Sequence, residues 1–173
     1  MRKGRYDYCE TDQFQAIQLP YGGERFSLLV LLPRLPLESF LKTFTGDALD
    51  AAVRGLRSRE GTVQLPRFKL QGDYDFTAVL GQLGMPLAFT PAANFKGMSP
   101  GTLNLGMVRQ KTYIALDETG TVAAAVTGGW MRATAVVAES APFQFIVDRP
   151  FFVAIRDRNS GLVWFGGTID DPR

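Results

Sequence analysis

Seven consecutive residues, Phe26-Ser27-Leu28-Leu29-Val30-Leu31-Leu32, constrain this chain more than any other feature. A strand with one wet face alternates apolar and polar side chains. This run breaks that alternation with a single small hydroxyl, so it reads as a strand buried on both faces. Such a strand has to sit inside a sheet with cover above and below it. At 173 residues and 19.1 kDa the chain is long enough to bury a core of that kind as one large domain or as part of something bigger. The run is the longest strongly apolar stretch and falls far short of the roughly 20 residues that a helix needs to cross a bilayer. The start, MRKGRYDYCETD, has charges but no apolar stretch behind them, so no signal peptide is expected there and the segment reads as soluble.

Around this run the pattern is that of a strand meander from Tyr6 to Leu32, turned at Pro20-Tyr21-Gly22-Gly23. Leu37, Phe40, Leu41 and Phe44 fall at helical spacing, and Asp47 is expected to cap a second helix carrying Leu49, Ala52, Val53 and Leu56. Val63 and Leu65, then Phe68 and Leu70, read as strand on either side of Pro66, which places an edge or a switch between sheets there. Asp75 is expected to cap a helix with Phe76, Val79, Leu80 and Leu83 on one face, ended by Gly84. Residues 85–105 read as loop and Met107 to Leu116 as strand. The C-terminus is a hairpin: Phe151 to Arg156, a turn at Arg158-Asn159-Ser160-Gly161, then Leu162 to Thr168.

The chemistry is bounded first by what is missing. There is no histidine, which removes Ser-His-Asp and Cys-His catalysis and histidine-ligated zinc. The single cysteine, Cys9, excludes an intrachain disulfide and a cysteine-cluster metal site; in its strand-like segment it reads as an inert, partly buried thiol. With 19 Lys+Arg against 17 Asp+Glu the net charge is +2, which implies neither a nucleic-acid nor a membrane partner. Ser39-Phe40-Leu41-Lys42 matches S-x-x-K, but the companion S-D-N and K-T-G elements are absent and a solvated helix face explains it. Asp73 and Asp75 read as a turn residue and a cap, and Asp117-Glu118 as charges ending a strand. Gly22-Gly23 and Gly166-Gly167 match no phosphate-binding pattern, so no cofactor is implied.

One segment does not fit a compact domain. Residues 119–142 form a connection of a length that is usually functional or disordered. Its first part, TGTVAAAVTGG, carries nothing larger than valine. It reads either as a flexible linker or as a segment able to exist in two states, solvated or slotted as a strand between two others, which small side chains permit without overpacking.

Several motifs in order resemble the serpin family. FIVDRPFFVAI (Phe145 to Ile155) is similar to the serpin C-terminal signature, and LVWFGGTIDDP (Leu162 to Pro172) to the last core strand and its terminal segment. LPRFKLQGDYDFTAVLGQLGM (Leu65 to Met85) resembles the family's L-P-[KR]-F, D-Y-D-L and L-x-x-L-G stretch. LPYGG, LLVLLP and NFKGMS (Asn94 to Ser99) resemble further serpin strands and a loop. The resemblance covers essentially the whole chain but only the C-terminal half of a serpin; helices A to F and the first strands of sheet A have no counterpart. It implies an α+β fold of mixed sheets, the B and C sheets with part of sheet A, a few short helices and a reactive loop at about 119–142. Residues 1–173 would be the C-terminal portion of a single serpin domain, with the missing N-terminal half as its partner.

What the resemblance implies for function is suicide inhibition of serine proteases. A protease cleaves the loop, is trapped as an acyl-enzyme, and is carried off as the loop inserts into sheet A. The hinge would be Glu118, Thr119, Gly120, Thr121, Val122, Ala123, Ala124, Ala125, Val126 and Thr127, with Val122 standing where many members have Glu. Arg67 of L-P-[KR]-F would pair with Glu118. The family's spacing of sixteen positions after the hinge glutamate puts the scissile bond at Thr134-Ala135, suited to an elastase- or subtilisin-like protease. Arg132-Ala133 is the alternative, for a trypsin-like one, and counting back from Asp148-Arg149-Pro150-Phe151 lands nearer Glu139. The competing readings are a non-inhibitory serpin acting as a binding or chaperone-like protein, an inactive fragment, and a hydrolase using Ser39 and Lys42.

Overall fold

The computed structural model describes residues 1–21, 23–116 and 141–172, which divide into two compact units, one of residues 1–68 and 116–173 and one of residues 69–115. The first unit is built on a seven-stranded sheet. Its strands are β1 (Arg2–Glu10), β2 (Phe14–Pro20), β3 (Phe26–Pro33), β4 (Arg57–Gln64), β7 (Phe143–Ile146), β8 (Phe151–Asp157) and β9 (Val163–Ile169), in the order β7-β4-β1-β2-β3-β8-β9. All neighbours are antiparallel except the β4–β7 pair.

The apolar run lies where its composition requires. β3 pairs with β2 on one side and β8 on the other, and Ser27 to Pro33 are all buried. On one face Phe14, Ala16, Leu29, Leu31 and Ala154 form a core with Leu37 and Phe40 of α1 (Leu37–Thr43) and Ala52 of α2 (Gly46–Gly55). Phe40 fills this core: it stacks on Phe44 at 4.7 Å and meets Phe14 edge-on at 5.8 Å. On the opposite face Ile17, Leu28, Val30, Leu32 and Val153 are also buried.

The cap of α2 differs from the expectation. Thr45, not Asp47, is the N-cap, and its hydroxyl accepts from the Ala48 amide at 3.4 Å. Asp47 sits in the first turn, where a carboxylate favours the positive end of the helix instead of closing it. Two strands start earlier than the apolar pattern indicated. β1 begins at Arg2 and β4 at Arg57, because paired backbone carries charged residues such as Arg57, Arg59 and Glu60 into the ladder. The expected switch at Pro66 is present: β4 belongs to the seven-stranded sheet, and β5 (Phe68–Asp75), after Pro66, to another.

The second sheet is the pair β5 and β6 (Arg109–Leu116). In this unit α3 (Thr77–Gln82) has Phe76, not Asp75, at its N-cap, but the Asp75 carboxylate still accepts the Thr77 amide at 2.9 Å. The Thr77 hydroxyl and, after it, this amide bond hold the Asp75 carboxyl below its usual range. Residues 85–105 contain a short 3-10 turn, Pro86–Phe89, absent from the expectation. Gly84 takes φ 105°, a conformation that suits glycine after a helix end.

The packing role of Phe40 has a measurable consequence. Phe40→Ala is expected to lower stability by about 3–5 kcal/mol in urea unfolding, the range for emptying an aromatic site in a core. Lys42→Ala, on the exposed face of α1, is expected to change it by less than about 0.5 kcal/mol.

Candidate functional site

The long connection leaves from β6, in the two-stranded sheet, and re-enters at β7, on the edge of the seven-stranded sheet. The hinge, residues 118–127, and both candidate scissile bonds, Thr134-Ala135 and Arg132-Ala133, lie outside the described residues. Arg67 lies in the link between β4 and β5; its expected partner Glu118 also falls outside the described residues.

The structure does describe how the C-terminal end of the connection is held. β7 is four residues long and runs parallel to β4, with Gly61 opposite Phe143 and Gln64 opposite Ile146. So short an edge strand has few ladder bonds, and side chains supply the rest. The Arg59 guanidinium donates to the Ala141 carbonyl at 3.2 Å and lies 5.2 Å over the Tyr8 ring and 6.0 Å from Phe143. Tyr8 and Phe143 stack at 3.8 Å with planes 5° apart, and Phe145 meets Tyr8 edge-on at 6.4 Å. Gln15 closes the cluster: its amide donates to the Tyr8 hydroxyl at 2.8 Å and to the Gln144 carbonyl at 3.0 Å.

Gly61 is what lets the stack form. A Cβ at this position would stand 2.4 Å from the Phe143 ring, so any side chain would displace it. Beyond β7 the Val147 amide donates to Gln64 at 2.9 Å, and Arg149 of Asp-Arg-Pro-Phe donates to the Pro33 carbonyl at 2.9 Å, tying the signature to the end of β3. Burial pushes the Tyr8 phenol up to about 12, against the Gln15 hydrogen bond, so at neutral pH it is a protonated ring. This cluster anchors; it has no group poised to transfer a proton.

Sequence reasoning missed Arg59, Tyr8 and Gln15. Arg59 lies in Arg57-Ser58-Arg59-Glu60, which reads as surface, and only the glycine at 61 within a strand signals a close approach. The other candidate groups are engaged elsewhere. Lys42 pairs with Glu38 at 3.2 Å, away from the S-x-x-K serine, and Ser39 is exposed. Asp73 receives Arg109 through two hydrogen bonds of 2.5 and 2.8 Å. Cys9 is half-buried, and burial raises its thiol. Among the described residues no three His, Cys, Asp or Glu side chains gather as metal ligands.

Comparison with known proteins gives one family. The family described as Serpin (serine protease inhibitor) matches residues 1–172. An uncharacterized serpin-like protein of Thermococcus kodakarensis is 33% identical over 98% of this chain and 40% of its own length. A leukocyte elastase inhibitor of Equus caballus is 33% identical over 99% of this chain and 47% of its own, and human Serpin B9 is 36% identical over 91% and 43%. Among solved structures, the thermophilic serpin Tengpin in its native state matches with a TM-score of 0.76 and 26% identity, over 98% of this chain and 45% of that one. The chain thus spans less than half the length of these relatives.

The Tyr8 environment sets an alkaline limit. A phenol whose folded pKa is raised adds stability below the unfolded value near 10, and that stability is lost as pH rises through the folded value of about 12. Absorbance titration at 295 nm should show the Tyr8 phenol ionising last, behind Tyr6 and Tyr21, which burial also raises, together with a fall in stability that begins near pH 10. In Tyr8→Phe the late step should disappear; its persistence would show that another tyrosine carries it.

Proposed function

This chain belongs to the serpin family, and we propose that it is the bait-bearing C-terminal half of a suicide-substrate inhibitor of serine proteases. The observation that carries the reading is the composition of the connection between β6 and β7: small residues follow Glu118 without proline, charge or large side chain through Thr127. A strand of that composition can enter a sheet without overpacking it. The relative named leukocyte elastase inhibitor supports the protease class. On this reading residues 1–173 are part of a single serpin domain with the reactive loop at about 119–142, and Thr134-Ala135 is the scissile bond. The protease attacks the Thr134 carbonyl and forms an acyl-enzyme. The freed loop then enters sheet A before hydrolysis can finish.

Trapping needs a complete sheet to receive the loop. Joined to the N-terminal half, the protein is expected to give an SDS-stable adduct with an elastase and to release a peptide beginning at Ala135. The 173-residue chain alone should be cleaved without an adduct. A stable complex with trypsin and a peptide beginning at Ala133 would transfer the bait to Arg132. Cleavage of the full protein with no adduct for either enzyme would sink inhibition and favour the non-inhibitory reading.

The hinge pair adds a second test. If Arg67 binds the Glu118 carboxylate as a bidentate pair, a double-mutant cycle of Arg67→Ala and Glu118→Ala in the full protein should give a coupling energy above about 1 kcal/mol, more than a solvated surface pair yields. Coupling near zero would remove Arg67 from the hinge.

A further inference from the structure

At one end of the seven-stranded sheet a polar group of three interrupts the core. Ser27 of β3 stands directly opposite Arg156 of β8, so the two side chains share a face. Gln18 of β2, opposite Leu29, lies on that face too, which is the face that α1 and α2 cover further along. All three are deeply buried, with exposures of 5% for Gln18, 0% for Ser27 and 7% for Arg156. The register between β8 and β9 shifts between Ile155 and Arg156, so that Arg156 pairs with Val163 and Trp164 is skipped. The Arg156 guanidinium reaches the β8–β9 turn, within 3.6 Å of where a Cβ on Gly161 would stand.

These groups are short of partners. Among the described residues Arg156 makes one hydrogen bond, to the Gln18 side-chain oxygen at 3.5 Å, at the outer limit for such a bond. The Ser27 hydroxyl, fully buried, has none. Of the carboxylates around this end of the sheet, Asp157 is held on the opposite face by Arg25 and the Asn159 amide, both within 3 Å, and Asp7, opposite Gln18 across the ladder, lies 3.8 Å from Arg158; among the described residues neither pairs with Arg156. An anion beside a guanidinium this deeply set would offset the cost of its burial.

We propose that Gln18, Ser27 and Arg156 form a receptor for a carboxylate. The planar guanidinium offers parallel N–H donors matched to the two carboxylate oxygens, the Ser27 hydroxyl adds a donor beside them, and Gln18 orients the fork from behind. The charge count selects the class. One cation balances one carboxylate, whereas a phosphate dianion would leave a buried negative charge over. The carboxylate is either a small free acid or an Asp or Glu side chain from polypeptide beyond these 173 residues, in keeping with relatives more than twice as long.

Acetate is the probe, with thermal unfolding of the 173-residue chain followed in acetate and in chloride at equal ionic strength. If a free acid fills the receptor, acetate raises the midpoint by about 2–4 °C, and Arg156→Met abolishes the shift. If acetate does nothing and Arg156→Met unfolds at a higher temperature than the parent, the unpaired charge is real and its carboxylate arrives on a polypeptide. Two results overturn the proposal: an acetate shift that survives in Arg156→Met, or no shift together with a lower midpoint for that variant. Should Arg156→Met fail to fold, Ser27→Ala replaces it. That variant is expected to keep or raise the midpoint in chloride and to lose at least half the acetate shift where one exists. A lowered midpoint in chloride, or an undiminished acetate shift, would overturn the proposal there.

Discussion

Burial of β3 on both faces is the constraint from which the first unit follows. A strand from which water is excluded above, below and at both edges must satisfy its amides entirely within the ladder, so it needs two long partners. β2 and β8 supply them, with seven and six registered pairs. Each partner brings its own constraint. β2 hands the sheet on to β1 through the Thr11 turn, and β8 hands it on to β9 through the Asp157 turn. Helices α1 and α2 then cover one face through Phe40 and Ala52.

Away from that centre the means of attachment changes. β7 is too short to be held by its ladder, and a ring stack, an arginine and a glutamine hold it instead. The contrast is one of stiffness. Ladder bonds are local and repeat along a strand, whereas the Tyr8–Phe143–Arg59 contacts converge on one point at the end of the long connection. The site therefore fixes where that connection returns and leaves its path to the residues between. On the reading proposed above, a loop offered to a protease would use such a firm exit together with a hinge of small residues, 119–127.

Much of this was legible because each part has a local cause. The run from Phe26 to Leu32 could be read as a doubly buried strand from composition, and Pro66 marked a change of sheet because proline cannot serve a central ladder. The caps were read one or two positions off, at Asp47 for Thr45 and at Asp75 for Phe76, since neighbouring Thr and Asp side chains compete for the same amides. The loop anchor was not legible at all. Tyr8, Gln15, Arg59 and Phe143 come from four strands, and no spacing in one dimension records that they meet. The serpin motifs identified the family through segments that recur in order, but they name residues of the loop and say nothing of what grips its end.

The polar end of the sheet shows how unevenly one strand can treat two buried charges. Arg156 and Asp157 are consecutive on β8 and so point to opposite faces, and both are more than nine-tenths buried. Asp157 is surrounded by donors: its carboxylate takes the Asn159 amide at 2.8 Å, Arg25 at 2.9 Å and the Ser160 amide at 3.3 Å, which against its burial hold its carboxyl below the usual range. Arg156 has one long bond to an amide oxygen and a neighbouring hydroxyl with no partner at all. Loose packing cannot explain the difference, because the same turn, residues 158–161, adjoins both. A sheet able to satisfy one charge so fully has the means to satisfy the next, either with a carboxylate or by replacing the arginine with an apolar residue that stability alone would favour. The two faces of β8 thus differ in chemistry at this end: donors from the turn converge on Asp157, whereas among the described residues Arg156 meets only the Gln18 side-chain oxygen beside the Ser27 hydroxyl.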